Sequence, residues 1–167
     1  MADADPNLQD AHTQMPSLKG RKALITGGTT GIGRAIGVLL ASEGVEIFTC
    51  GRDEQHLKDG LERINEVGKG SGISLDLAEK DQLVRFFDEA EKKLGSYDIA
   101  IVNAAVPVEG LTNTSEEDAW YSIATDYTAY VMSAFKAAQH MKDKGDLILV
   151  GPRARILSTA ADRSTPA

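Results

Sequence analysis

The sequence is short of cysteine, histidine and long apolar runs. Its single cysteine, Cys50, cannot form a disulfide within the chain, which fits a reducing compartment. The three histidines are scattered and show none of the short spacings typical of metal ligands. No segment approaches the roughly 20 consecutive apolar residues that a membrane-spanning helix requires. These features predict a cytoplasmic protein with no metal site and no membrane partner.

Basic residues are also outnumbered by acidic ones. The chain has 18 lysine and arginine residues against 25 aspartate and glutamate residues, with a formal net charge of −7. No basic stripe is present, and an acidic surface would repel the phosphates of a nucleic acid. We therefore expect no nucleic-acid partner. The 167 residues, 42% of them apolar, are sufficient for one globular domain.

The two ends of the chain differ in composition from its middle. Residues 1–20 are polar and acidic, without the hydrophobic run of a secretory signal, and predict a flexible N-terminal tail. Residues 152–167 (PRARILSTAADRSTPA) follow neither helical nor strand periodicity and predict an unstructured tail. The domain itself is expected over residues 21–151.

Between these ends, short apolar runs alternate with amphipathic helical patterns. Strands are predicted at residues 22–26, 45–50, 72–77, 98–103 and 146–150. Helices are predicted at residues 32–43, 53–67, 79–94 and 115–141, the last with a possible break and with Ser115 and Asp118 in a capping-box pattern. This alternation is typical of βαβ units, so the sequence predicts an α/β fold with a doubly wound parallel sheet of the Rossmann type.

A glycine-rich turn follows the first predicted strand, where residues 26–33 read TGGTTGIG. Side chains at such a turn would keep a dinucleotide's pyrophosphate away from the backbone and from the start of the next helix, so the glycines favour dinucleotide binding. A nucleotide-binding Walker loop is disfavoured because Arg34, rather than lysine, follows Gly33. A methyltransferase or a purely structural turn remains as an alternative.

The spacing Thr-Gly-x-x-x-Gly-Ile-Gly resembles the short-chain dehydrogenase/reductase family, classical type, and further motifs agree over residues 18–151. Asp76 and Leu77 are expected to end the third strand, where the family places an acidic residue beside the adenine. Residues 103–105 resemble the family's Asn-Asn-Ala-Gly, although Val102 stands at the position of its first asparagine. Together with the end of the second strand, these motifs give the candidate cofactor-binding residues Gly27, Thr29, Thr30, Gly31, Ile32, Gly33, Arg52, Asp76, Leu77, Asn103, Ala104 and Ala105.

The end of the second strand bears on the choice of cofactor. NAD-binding folds usually carry an acidic residue there, which holds the ribose 2′-hydroxyl and repels a 2′-phosphate. This chain has Cys50, Gly51 and Arg52, with no acid before Asp53. Arg52 could bind the 2′-phosphate through its planar guanidinium, so we favour NADP(H) over NAD(H). The alternative is that Arg52 is an exposed arginine at the start of a helix.

The resemblance also implies catalytic residues, and none of them is found. The family's tyrosine acts as general acid/base beside a lysine four residues later, whose charge lowers the tyrosine pKa. No tyrosine of this chain has lysine at that spacing. The family's serine position holds Pro152, and its asparagine on the long helix, placed by Trp120, is Asp126. We therefore predict no catalytic residue in this chain, and expect Trp120 to lie in the core or an interface.

Residues from Pro152 onward do not resemble the family. If one base were lost at the codons of Gly151 and Pro152, position 152 could encode serine and position 165 tyrosine, thirteen apart as the family requires. The sequence therefore favours a truncated or frameshifted chain whose fold is incomplete at its C-terminal side. A naturally diverged short protein remains the alternative.

The resemblance implies an NADP(H)-dependent oxidoreductase that acts on a small-molecule carbonyl or alcohol, and the missing residues predict that this chain is catalytically impaired. A full-length relative is expected to form a homo-oligomer. A non-catalytic dinucleotide-binding module is the alternative function, for which the missing tyrosine and lysine are the distinguishing feature. A fragment that does not fold stably is the third possibility, because family members continue with further strands and helices that cover the sheet.

Overall fold

A computed structural model describes residues 17–106 and 113–151 of the chain. Its strands are β1 (Lys22–Ile25), β2 (Glu46–Gly51), β3 (Lys69–Ser74), β4 (Tyr97–Val102) and β5 (Met141–Leu149). Its helices are α1 (Gly31–Ser42), α2 (Glu54–Asn65), α3 (Lys80–Leu94), α4 (Glu116–Ser122) and α5 (Tyr130–His140), with the π-helical segment Ile123–Ala129 joining the last two. The strands pair in parallel in the order β3-β2-β1-β4-β5. The predicted doubly wound parallel sheet is therefore confirmed.

The sheet has a hydrophobic core on each face, because successive side chains of a strand point to opposite sides. In β1, Ala23 and Ile25 pack beneath α1 and α2, where they meet Ile64. Leu24 points the other way, towards α3 and α5. On that second face the rings of Phe48 and Phe86 stack with their centroids 5.7 Å apart. Burial on both faces explains why the central strands are apolar along most of their length.

The third strand lies earlier in the chain than the predicted range 72–77. It spans Lys69–Ser74 and pairs with β2 from Glu46 to Gly51. Its glycines contribute no apolar signal, yet they allow α2 to pack closely, since a Cβ on Gly72 would lie 3.0 Å from the Leu57 Cδ1 atom. The prediction that Asp76 and Leu77 end this strand is wrong, because both follow it.

The long helical region is confirmed with the break that the sequence allowed. The Ser115 hydroxyl accepts a hydrogen bond from the Asp118 amide at 3.0 Å, as the capping pattern predicted. Trp120 is 64% exposed, so the expectation that it lies in the core is wrong, and its role in an interface stays a prediction. No helix in residues 17–106 or 113–151 is long and apolar enough to cross a bilayer.

The fifth strand is longer than predicted, since it starts at Met141, directly after α5. It pairs with β4, with a register irregularity between Tyr97 and Ile99. Asp98 fixes the start of this part of the sheet. Its carboxylate accepts hydrogen bonds from the Lys22 amide at 2.9 Å and from the Lys142 ammonium at 2.7 Å. One side chain thereby connects β1, β4 and β5.

Asp98→Asn is expected to lower the free energy of unfolding by about 1–2 kcal/mol at pH 7, because it removes the charge from both hydrogen bonds. Partial burial disfavours the carboxylate, but the bonds from Lys142 and Lys22 hold the Asp98 pKa below its ordinary value of 3.8. A lowered folded-state pKa stabilises the fold above the unfolded-state value, and this stabilisation is lost as the pH falls through the lowered pKa. Urea unfolding at pH 7 and pH 3.5 should therefore show the difference shrinking at the lower pH.

The exposed Asp143 offers a matched control for this experiment. Asp143→Asn should leave the unfolding free energy within about 0.5 kcal/mol of the unchanged chain. An Asp98→Asn deficit of the same size at both pH values would show that its charge does not contribute.

Candidate functional site

The glycine-rich turn connects β1 to α1 at the carboxyl end of the sheet. Chain order reverses here, since β2 and β3 lie on one side of β1 and β4 and β5 on the other. Ligands of open α/β sheets bind at such a switch point. Gly27 has φ +67°, and a Cβ on it would lie 2.8 Å from the Ala104 Cα atom, so the turn and the residues after β4 touch through backbone atoms. The turn therefore needs glycine for conformation and for space.

The start of α1 is open to an anion. Thr30 is its N-cap residue in extended conformation, with no hydrogen bond from its side chain to the helix, and the first turn has no acidic residue. Gly31 follows with φ +52° and with nothing within 4 Å of a built Cβ. The first amides of a helix are unpaired within it and carry the positive end of its dipole, so this end suits a phosphate group.

Asn103 and Thr26 join the ends of β4 and β1. The Thr26 hydroxyl accepts hydrogen bonds from the Asn103 amide at 2.9 Å and the Ala104 amide at 3.1 Å. In return, the Asn103 side-chain nitrogen donates to the carbonyls of Thr26 at 3.2 Å and Gly27 at 3.0 Å. These four bonds set the spacing between the glycine turn and the residues after β4. Thr26 is the first residue of the Thr-Gly-x-x-x-Gly-Ile-Gly motif, but it was not among the candidate cofactor-binding residues predicted from the sequence.

A second buried threonine supports the turn from β2. The Thr49 hydroxyl accepts a hydrogen bond from the Gly28 amide at 3.0 Å and donates one to the Ile25 carbonyl at 2.8 Å. A Cβ on Gly28 would overlap this hydroxyl. The signal in the sequence is a threonine within a largely apolar strand, and the structure buries it.

A cleft of about 500 Å³ opens beside the turn. Its lining includes many of the predicted cofactor residues, together with others that the sequence reasoning did not select, among them Thr125 and His56. The predicted members of the lining are Gly27, Thr29, Thr30, Arg52, Asp76, Leu77, Ala104 and Ala105.

Four predicted residues lie outside the lining of the cleft. Gly33 is buried in the first turn of α1, where a Cβ would lie 2.5 Å from the Asn103 side-chain nitrogen and closer still to the Gly27 carbonyl oxygen. Gly31 and Ile32 are exposed at the start of α1. Asn103 holds the turn through its amide. Gly31, Gly33 and Asn103 therefore determine the conformation of the turn or form its end. Ile32 faces away from the core.

Arg52 and Asp76, both in the lining of the cleft, are connected by Tyr121. The phenol oxygen accepts a hydrogen bond from the Arg52 guanidinium and donates one to the Asp76 carboxylate, each 2.7 Å long. The other oxygen of Asp76 accepts from the Ala78 amide at 2.9 Å. Burial, and then the bond to Asp76, raise the Tyr121 pKa above its ordinary value, so the phenol stays protonated at neutral pH.

Cys50 lies in the wall of the same cleft and is almost wholly buried. Burial raises the pKa of its thiol to about 12. A thiol needs its thiolate form to attack or to bind a metal, so Cys50 acts as a small apolar residue here. Among the described residues, no group of three histidine, cysteine, aspartate or glutamate side chains could hold a metal ion.

Asp126 occupies the position where the resemblance implied asparagine. One of its oxygens accepts a hydrogen bond from the Val106 amide at 2.8 Å, and the other accepts from the Ser122 hydroxyl at 3.1 Å. The π-helical segment thus holds the backbone that follows β4. Pro152, at the position of the family's serine, lies outside the described residues.

The glycine turn, the switch point and the motifs that follow β3 and β4 agree with one family in particular. The family model described as short chain dehydrogenase matches residues 21–158. The chain belongs to this family. Its fold and motifs are therefore those of an oxidoreductase family that uses nicotinamide dinucleotides.

Individual relatives agree with that assignment. The chain is 32% identical over 141 residues to an Arabidopsis thaliana protein named NADPH-dependent aldehyde reductase 1, chloroplastic, covering 78% of this chain and 49% of that one. It is 30% identical over 139 residues to the Haemophilus influenzae 3-oxoacyl-[acyl-carrier-protein] reductase, covering 80% and 56%. A Serratia marcescens short-chain dehydrogenase/reductase superposes with a TM-score of 0.74 at 29% identity, covering 81% and 57%. The chain spans about half the length of such relatives.

Proposed function

We propose that the chain is the cofactor-binding part of an NADP(H)-dependent oxidoreductase that exchanges hydride with a small-molecule carbonyl or alcohol. The observation that carries the choice of cofactor is Arg52, which follows β2 and lines the cleft where NAD-dependent folds carry an acidic residue. The cofactor, when bound, supplies the hydride. The name of the NADPH-dependent relative supports the same choice.

The nearest carboxylate after β2, that of Asp53, already caps a helix. Asp53 is the N-cap of α2, and its side chain accepts a hydrogen bond from the His56 amide at 2.7 Å. Loss of such an N-cap hydrogen bond lowers the stability of a helix by about 1 kcal/mol on average. Asp53 is therefore poorly suited to bind a ribose 2′-hydroxyl, and Arg52 is the charged group best placed to receive a 2′-phosphate.

The remaining contacts follow from the geometry of the turn. The glycine backbone and the start of α1 would hold the pyrophosphate, since a Cβ at Gly27 or Gly33 would fill the space that the turn needs. Asp76 would accept a hydrogen bond from the adenine amino group, as the family resemblance implies. Its carboxylate lines the cleft and is held by the Ala78 amide. The residues present therefore fit the adenosine and pyrophosphate of NADP(H).

A non-catalytic dinucleotide-binding module is the second candidate. It is favoured by one feature of the sequence, the lack of any tyrosine followed four residues later by lysine. An NADPH-oxidation assay with a panel of carbonyl compounds tests whether the chain has any turnover of its own. We expect this chain to bind the cofactor without turnover. Turnover that is lost when a glycine of the turn is mutated would contradict this expectation.

Arg52→Ala is expected to weaken NADPH binding by about 10- to 100-fold, because a charge-assisted hydrogen-bonded pair is lost. NADH binding should change by less than about twofold, since NADH has no 2′-phosphate. Nicotinamide fluorescence titrations of both cofactors measure the ratio.

The matched control for Arg52 is Arg63, whose guanidinium pairs with Glu66 on the surface of α2. Arg63→Ala should leave both affinities unchanged. If the unchanged chain prefers NADH, or binds neither cofactor, or if Arg52→Ala weakens both equally, the NADP(H) assignment is wrong.

A further inference from the structure

Tyr121 connects two charged residues of the cleft lining, Arg52 and Asp76. Arg52 follows β2, Asp76 follows β3, and Tyr121 comes from α4, far along the chain from both. The phenol oxygen lies 2.7 Å from Arg52 Nη1 and 2.7 Å from Asp76 Oδ2. The guanidinium carbon of Arg52 also lies 5.0 Å from the centroid of the Tyr121 ring. One side chain of the long helical region therefore contacts both charged groups.

The contact has a consequence for the guanidinium. Arginine has five N–H donors and a long flexible side chain, and Arg52 is exposed to solvent. The bond to Tyr121 uses one donor and fixes the plane of the fork, which leaves the other donors for a ligand. Holding the fork in advance removes part of the entropy that a phosphate would otherwise lose on binding.

The contact also separates two opposite charges. Without the phenol, the Arg52 guanidinium and the Asp76 carboxylate would be free to pair directly, because a flexible arginine side chain readily forms bidentate bonds with a carboxylate. Such a pair would turn the donors of Arg52 away from a phosphate and occupy the carboxylate. The phenol accepts from one group and donates to the other, so both keep their separate positions.

We propose that Tyr121 is a positioning residue that sets the preference for the 2′-phosphate, by holding Arg52 apart from Asp76 with its donors directed into the cleft. This inference rests on the proposed NADP(H) function. It assigns the preference to a bridge of three side chains rather than to Arg52 alone.

The test compares two ligands that differ only in the phosphate, ADP-ribose and ADP-ribose 2′-phosphate, with the full chain. Neither contains nicotinamide, so the measurement depends only on the adenosine and pyrophosphate end. Tyr121→Phe should weaken binding of ADP-ribose 2′-phosphate by about 5- to 20-fold, and that of ADP-ribose by less than twofold. Isothermal titration calorimetry gives both dissociation constants, and the thermal unfolding midpoint checks that the variant is folded.

The matched control is Tyr127, a largely exposed tyrosine of the same helical region, 70% exposed. Tyr127→Phe should change neither dissociation constant. Adding Asp76→Asn to Tyr121→Phe removes the carboxylate that would capture Arg52, and should restore at least half of the lost preference, measured as the ratio of the two constants.

The outcomes separate the inference from the function on which it rests. If Arg52→Ala abolishes the preference for the 2′-phosphate while Tyr121→Phe keeps it, the inference about Tyr121 is wrong and the proposed function stands. Equal weakening of both ligands by Tyr121→Phe would mean a structural role only, and would also overturn the inference. If Arg52→Ala leaves the preference unchanged, the proposed function itself fails.

Discussion

Replacing Gly33 with alanine is expected to abolish dinucleotide binding and to lower the free energy of unfolding by about 1–3 kcal/mol. The added Cβ would lie 2.5 Å from the Asn103 side-chain nitrogen and would overlap the Gly27 carbonyl oxygen. Neither neighbour is free to move, because Asn103 itself donates a hydrogen bond to that carbonyl at 3.0 Å. The turn would have to open, and the start of α1 would leave the position that suits a pyrophosphate. Urea unfolding and an NADPH titration measure the two effects.

Gly20 provides a control that separates stability from binding. It has φ +81°, nothing lies within 4 Å of a built Cβ, and it is not part of the cleft. Gly20→Ala should cost about 1 kcal/mol through left-handed strain alone, while NADPH binding stays unchanged. Binding by Gly33→Ala within twofold of the unchanged chain would show that the turn does not form the cofactor site.

Thr26→Val is expected to lower the free energy of unfolding by about 2–4 kcal/mol, although the two side chains have nearly the same shape. The hydroxyl accepts from the amides of Asn103 and Ala104, and valine would leave both donors unpaired. Each unpaired buried polar group costs about 1–3 kcal/mol. The connection between the glycine turn and the residues after β4 would be lost with them. A lower midpoint of urea unfolding, with an unchanged slope, is the expected result.

Thr26→Ser keeps the hydroxyl and tests this explanation. We expect it to recover most of the stability, with a deficit below about 1 kcal/mol from the lost methyl group. If Thr26→Ser lowers the stability while Thr26→Val, which keeps the methyl group, leaves it unchanged, packing of the methyl group rather than hydrogen bonding holds the two strand ends together.

Much of the fold could be predicted from the sequence because its signals are local. The apolar strands, the amphipathic helices and the glycines of the turn each follow from the residues within one segment. The third strand could not be placed correctly, because Gly70 and Gly72 contribute no apolar signal and instead make room for α2. Its position is set by pairing with β2, which no local pattern records.

The residues of the candidate site also fall into those that a local sequence motif predicts and those that it does not. Thr29, Thr30 and Arg52 were predicted from motif positions, and the structure places them around one cleft. Their role in binding a cofactor stays a prediction. Tyr121 could not be predicted, because its partners lie 69 and 45 residues away and meet it only after the sheet and the long helix have packed.

Because Cys50 is the only thiol of the chain and is buried in the cleft wall, the rate at which it is alkylated should measure how often the cleft wall opens. Burial raises the pKa of the Cys50 thiol, so an alkylating reagent meets almost no thiolate at pH 7 while the residue stays buried. We therefore expect labelling to proceed through rare local openings that hydrate the end of β2. The labelling rate should therefore report the frequency of those openings. A molecule bound in the cleft should lower this rate without contacting the sulfur.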